Sequence, residues 1–131
     1  MRILIVEDDF TSRMLLQKIL APYGECTAAQ DGEEAIKAFG AAWEEKRPYT
    51  LICMDIMMPK IDGKQALKLI RELENRLSVE EKDKAKILMT SSLAEQEHVI
   101  DAVKSGATWY LVKPINKQKL LDELKRLKLI E

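Results

Sequence analysis

Acidic residues gather where apolar runs stop: Glu7, Asp8 and Asp9 follow the run 3–6, and Asp55 follows the run 51–54. Thr90, Ser91 and Ser92 follow 87–89 in the same way, and Lys113 follows 109–112. Gathered in one cleft, such carboxylates create an electrostatic demand, because two of them about 4 Å apart repel by roughly 4 kcal/mol at an effective dielectric near 20. Protonation answers that demand, and so does a bound cation. An all-oxygen set of carboxylate and carbonyl ligands suits Mg²⁺, which binds through few protein groups and keeps several waters. A carboxylate beside a metal and a lysine can attack phosphorus and become an aspartyl-phosphate. Asp55 is the best-placed nucleophile, at the tip of an interior strand. Glu7 and Asp8 suit the metal, with Lys113 and the Thr90 hydroxyl close enough to contact phosphoryl oxygens. The competing reading is that all of these are merely the solvated ends of buried strands.

For those residues to meet, the chain must bring the ends of several strands together. Runs 3–6, 51–54, 87–89 and 109–112 are short, almost wholly apolar and partly β-branched, as strands buried on both faces should be. A fifth candidate at 26–29 carries a weaker signal. Between them the apolar residues recur at helical spacing: Met14, Leu15 and Ile19; Ala35, Ile36 and Phe39; Ala66, Leu67 and Ile70; Val99, Ile100 and Val103; Leu120, Leu121 and Leu124. Five βα repeats require right-handed crossovers and a mostly parallel, five-stranded sheet with helices on both faces, an α/β fold. Ligands of such sheets bind outside the carboxyl ends of the strands, where strand order reverses. A strand order of 2-1-3-4-5 puts the first and third strands side by side and brings Asp8 against Asp55.

Punctuation agrees with these borders. Asp31-Gly32-Glu33-Glu34 reads as a helix N-terminus and Lys104-Ser105-Gly106 as a helix stop. Residues 75–86 read as a frayed helix end followed by a solvated loop. No repeat or linker interrupts the chain, so 1–131 is expected to form one domain with no output domain after the fifth helix. At 131 residues the chain is long enough to bury roughly two-thirds of its unfolded surface.

The 21 basic and 22 acidic residues nearly cancel, leaving none of the positive excess that direct nucleic-acid binding requires. The opening apolar run is cut short by Glu7, and no run approaches the length that spans a bilayer, so the expected location is cytoplasmic, without membrane insertion. Cys26 and Cys53 match no metal-ligand spacing and are expected to be small buried hydrophobes, with a disulfide as the lesser alternative.

The segments ILIVEDD, MDIMMPKIDG, ILMTSS and YLVKP stand in register along the chain. With them the sequence resembles the receiver domains of two-component response regulators, above all the stand-alone chemotaxis-type ones, from Arg2 into the last helix. The resemblance implies phosphoryl transfer to Asp55 from a histidine kinase or a histidine phosphotransfer protein. It implies a Mg²⁺ site, with Mn²⁺ as a substitute, formed by Glu7, Asp8, Asp55 and the backbone carbonyl of Met57. Thr90 is then the switch hydroxyl, Lys113 the salt-bridging lysine and Tyr110 the aromatic that reports activation. Lys113-Pro114 corresponds to a cis peptide, the one kind of bond where cis costs little. The signal is expected to leave through the face of the fourth helix, fifth strand and fifth helix, residues 95–127, toward a protein target or a second copy. Met57 and Ser92 occupy positions that vary within the family, and Met57 is expected to shield the phosphoryl group.

His98, the only histidine, reads as a surface residue, and Trp43 and Trp109 as packing residues, with Trp109 bordering a partner surface as the second reading. Lys117, Lys119, Lys125, Arg126 and Lys128 read as a solvated helix face. An aspartyl-phosphate-forming hydrolase would want an acid two residues beyond the nucleophile, where Met57 stands. A plain interaction module that is never phosphorylated would show no metal affinity, and the set Glu7, Asp8, Asp55, Thr90 and Lys113 argues against it.

Overall fold

The computed structural model describes residues 1–58, 60–92 and 96–131. In chain order the elements are β1 (Arg2–Val6), α1 (Phe10–Leu20), β2 (Glu25–Ala29), α2 (Gly32–Glu44), β3 (Leu51–Asp55), α3 (Gly63–Arg76), β4 (Lys86–Ser91), α4 (Gln96–Lys104), β5 (Trp109–Val112) and α5 (Lys117–Arg126). All strand pairs are parallel, in the order β2-β1-β3-β4-β5. Pro59 of the Met58-Pro59 pair and Glu95, the expected start of the signalling face, lie outside the described residues.

Period-two alternation explains why the central strands are apolar throughout. Leu4, Val6, Ile52, Met54, Ile87 and Met89 point into a core with Phe39 of α2, Leu67 and Ile70 of α3 and Ala102 of α4. Their neighbours Ile3, Ile5, Leu51, Cys53 and Leu88 face a second core with Leu16, Ile19 and Leu20 of α1 and Leu120 and Leu124 of α5. The weak strand at 26–29 is β2, one residue longer at its start and paired only with β1. As an edge strand it keeps Glu25 and Ala28 exposed, which dilutes its apolar pattern.

Helix starts follow local chemistry. Asp9, Asp31, Asp62 and Asn116 each accept a hydrogen bond from the backbone N–H three residues on, and Asp62 completes a capping box with Gln65. The stop at Lys104 is made by Gly106, whose φ of 113° is open to glycine, and a Cβ there would stand 3.0 Å from the Arg71 side chain.

Several expectations need correction. Thr90 and Ser91 lie inside β4, which runs on to the site, and do not follow it. Between Arg76 and Lys86 the expected solvated loop is exposed and contains a 3-10 turn (Glu81–Asp83). The segment is held by fully buried Glu74, which accepts from Ala85 N–H at 2.8 Å. Cys53 is buried and its thiol is pushed up to about 12 by burial and by Cys26. Cys26 is only half-buried, and both are free. His98 is half-buried on α4, so it is not a simple surface residue. Trp43 packs on the core, whereas Trp109 stays on the surface under the Arg126 guanidinium, 5.2 Å from its ring. Lys117, Lys119, Lys125, Arg126 and Lys128 are exposed, as a solvated helix face should be.

Candidate functional site

Register brings the polar strand ends together. Val6 pairs with Met54, so Glu7 is level with Asp55, and Asp55 in turn pairs with Thr90 across β3 and β4. Asp55 and Glu7 are almost completely buried, while Asp8 faces solvent. One carboxylate oxygen from each of Glu7, Asp8 and Asp55 lies within 4.8 Å of the others. Buried carboxylates at this spacing need a counter-charge, and Lys113 supplies part of it. Its ammonium donates to Glu7 Oε1 at 2.7 Å and stands 3.3 Å from Asp55 Oδ1. Burial pulls the Lys113 ammonium downward, but the Glu7 hydrogen bond and the charges of Asp55 and Glu7 outweigh it, and its pKa is raised overall.

Backbone geometry holds these groups in place. Lys113 N–H donates to Ser91 O at 2.7 Å, and the Lys113-Pro114 peptide is cis. Ile56 N–H donates to Thr90 O at 3.0 Å, and Met57 N–H to Asp55 Oδ1 at 3.3 Å. Asp62-Gly63 acquires a physical meaning here, since a Cβ on Gly63 would stand 2.3 Å from Asp55 O. Only glycine lets α3 start against the end of β3. Thr90 is buried in the strand beside Asp55, and Tyr110, paired with Met89, is buried as well.

Of the sequence-predicted residues, Glu7, Asp8, Asp55 and Lys113 thus meet in one pocket, Thr90 and Tyr110 are buried in the strands beside it, and Pro114 is exposed. The Met57 side chain is 65% exposed, while its backbone N–H reaches Asp55 Oδ1. Asp9, beyond the acidic pair, is the N-cap of α1, and its carboxyl is held below the usual range chiefly by the Ser12 backbone N–H. Sequence reasoning missed Arg13, whose guanidinium donates to Glu7 O at 2.9 Å and reaches Asp8 O at 3.4 Å. The available signal was a long cation one helical turn after a cap, able to reach back to the end of β1.

A parallel sheet with a carboxylate pocket at its switch point defines a phosphoacceptor type of α/β signalling module. The chain belongs to the response regulator receiver domain family, which matches residues 3–125. It is 35% identical over 127 residues to the chemotaxis protein CheY of Bacillus subtilis, covering 95% of both chains. The chemotaxis protein CheY of Thermotoga maritima is 32% identical, also with 95% of each chain covered. Among solved structures, a chain of the CheX-CheY-BeF3-Mg complex from Borrelia burgdorferi superposes with a TM-score of 0.82 at 28% identity, covering 99% of this chain and 90% of that one. The complex of the Saccharomyces cerevisiae histidine phosphotransfer protein Ypd1 with the Ssk1 receiver domain gives 0.82 at 25% identity, covering 99% and 92%. The protein is therefore a response regulator receiver homologous to CheY. Among the described residues no helix is long and apolar enough to cross a membrane.

Proposed function

We propose that Asp55 accepts a phosphoryl group from a phosphohistidine and that the resulting charge change is the signal. The observation that carries this reading is the meeting of Glu7, Asp8 and Asp55 oxygens within 4.8 Å, with Lys113 bonded to two of the three. An Asp55 oxygen forms the new bond to phosphorus as the bond from phosphorus to the donor's histidine nitrogen breaks, and that nitrogen takes up a proton. The pocket fits a hard divalent cation, because its donors are carboxylate oxygens with no thiolate or imidazole among them. Glu7, Asp8, Asp55 and the Met57 carbonyl would hold Mg²⁺, or Mn²⁺ in its place. Such an ion neutralises charge on the transferring oxygens. Lys113 offsets a further charge, and the Thr90 hydroxyl, level with Asp55, binds a phosphoryl oxygen.

A phosphohistidine donor, kinase or phosphotransfer protein, needs an approach to this pocket. Leu15 of α1 lines a groove of about 400 Å³ with Glu7, Lys113 and Ile115, and Phe10 and Met14 on the same helix are exposed, which supports docking of an apolar helical surface there. Output through α4, β5 and α5 is supported by exposed Ile100, Val103 and Trp109. The pairing of Thr90 with Leu111, next to Tyr110, gives a route from site to face. Phosphorylation adds about −1.5 to −2 charges, enough to draw Thr90 toward the new oxygens and let Tyr110 move. The occupant of that face is a protein target or a second copy of the chain, and the working location is the cytoplasm.

Acetyl phosphate with Mg²⁺ should add one phosphoryl group, seen by intact-protein mass spectrometry. Asp55→Asn should abolish it, because an amide is no nucleophile toward phosphorus. Equal modification of wild type and Asp55→Asn would overturn the assignment. Thr90→Ala should still take up phosphate while losing the amide shifts on α4 and β5.

A further inference from the structure

The turn between β1 and α1 carries two of the three pocket carboxylates, and a mobile turn would scatter them. Its first residue is anchored by Glu7 N–H to Ala29 O at 3.1 Å, and its last by Asp9, which caps α1. The carbonyls of Glu7 and Asp8 between those anchors project from the end of β1, and Nη1 of Arg13 bridges them at 2.9 and 3.4 Å. The guanidinium lies over the Phe10 ring, 5.5 Å from its centroid, and that ring is itself 65% exposed. Phe10 thus serves as a plate that steadies the cation and adds little to the core.

The choice of acceptors is informative. Glu7, Asp8 and Asp9 offer carboxylates nearby, and an arginine whose purpose was charge compensation would pair with one of them. Among the described residues Arg13 makes no ion pair, and its Nη1 donates to main-chain oxygens. That arrangement stiffens the turn while leaving the carboxylates open to a cation. We propose that Arg13 is a positioning residue of the acidic pocket, holding the turn so that the carboxylates of Glu7 and Asp8 converge with Asp55 on one divalent ion. The proposal rests on the metal reading of that pocket.

The sign of one substitution separates positioning from simple electrostatics. Removing a positive charge near a cation site should tighten cation binding by a few-fold if charge alone matters. Removing a group that orients the ligands should weaken binding by about tenfold or more. Mn²⁺ titration followed by the electron paramagnetic resonance of the free ion measures this in wild type, Arg13→Met, Arg13→Lys and Asp8→Asn. Wild type should bind one ion and Asp8→Asn should lose it; a wild type that binds no better than Asp8→Asn would remove the metal reading itself. With that reading intact, Arg13→Met should bind about tenfold more weakly and Arg13→Lys, which keeps a donor, should fall between. In acetyl phosphate reactions the half-saturating metal concentration should rise by the same factor, with a much smaller change in the rate at saturating metal. Arg13→Met binding Mn²⁺ as tightly as wild type, or more tightly, overturns the proposal. Should Arg13→Met fail to fold by circular dichroism, Arg13→Lys decides: wild-type affinity there overturns it and a severalfold loss supports it.

Discussion

Arg71→Met should destabilise the domain by about 3 kcal/mol, because it strands a carboxylate in the core. Arg71 Nη1 donates to Glu74 Oε1 at 2.7 Å and to Ala85 O at 2.9 Å, while its Nε donates to Gly106 O at 2.9 Å. Glu74 is fully buried, and its other oxygen accepts from Ala85 N–H at 2.8 Å. One side-chain pair therefore ties the end of α3 to the start of β4 and to the turn before β5, at the amino-terminal ends of the strands, opposite the acidic pocket. Breaking a buried pair by removing one partner typically costs about 3–5 kcal/mol. The lower end applies because the Arg71 side chain keeps 20% of its surface in contact with solvent, so water can partly replace it. Arg71→Met/Glu74→Leu removes the stranded charge and leaves chiefly the Ala85 N–H without an acceptor, which costs about 1–3 kcal/mol. The double variant should therefore be no less stable than Arg71→Met and far from additive. With a urea slope of about 2 kcal/mol per M, the single variant lowers the midpoint by about 1.5 M. Urea unfolding of wild type, both single variants and the double variant closes the cycle. Additive losses would refute the claim that the cost comes from an uncompensated buried carboxylate.

Phosphoform lifetime follows from Met57 and Ser92, both exposed, with Ser92 lining the groove beside Lys113. Neither a thioether nor a short hydroxyl at the rim orients a water behind phosphorus, so the phosphoform should persist for minutes or more; Met57→Asn with Ser92→Glu should speed decay by about tenfold, or about 1.4 kcal/mol in the barrier. Decay at fixed Mg²⁺ that is equal to wild type, or slower, would defeat this. The raised pKa of Lys113 has a signed consequence: the stability it contributes is fully present below its ordinary value of 10.5 and is lost as pH rises through the higher folded value. Lys113→Met should remove that alkaline component, so urea midpoints compared at about pH 8 and about pH 11 should show the gap between wild type and variant narrowing as pH rises. A gap constant with pH would count against the ion pairs with Glu7 and Asp55.

Much of this protein was legible without coordinates because parallel strands buried on both faces announce themselves as apolar runs. The polar residues at the ends of those runs are then placed by topology alone. Asp31 as a cap and Gly106 as a stop were readable because capping depends on residue type and local spacing. Sequence could not show which groups satisfy one another across elements. Arg71 holds Glu74 against Ala85 and Gly106, and Arg13 ties the Glu7 and Asp8 carbonyls. These partnerships depend on where long side chains end after the sheet has twisted and the helices have packed. Thr90 and Ser91 show the same limit, since hydroxyl residues read as a loop from composition but stay in the strand once pairing with β3 and β5 satisfies their backbone. Met57 shows it too: the turn after β3 directs its amide inward to Asp55 and leaves its side chain exposed, a split that residue type alone does not reveal.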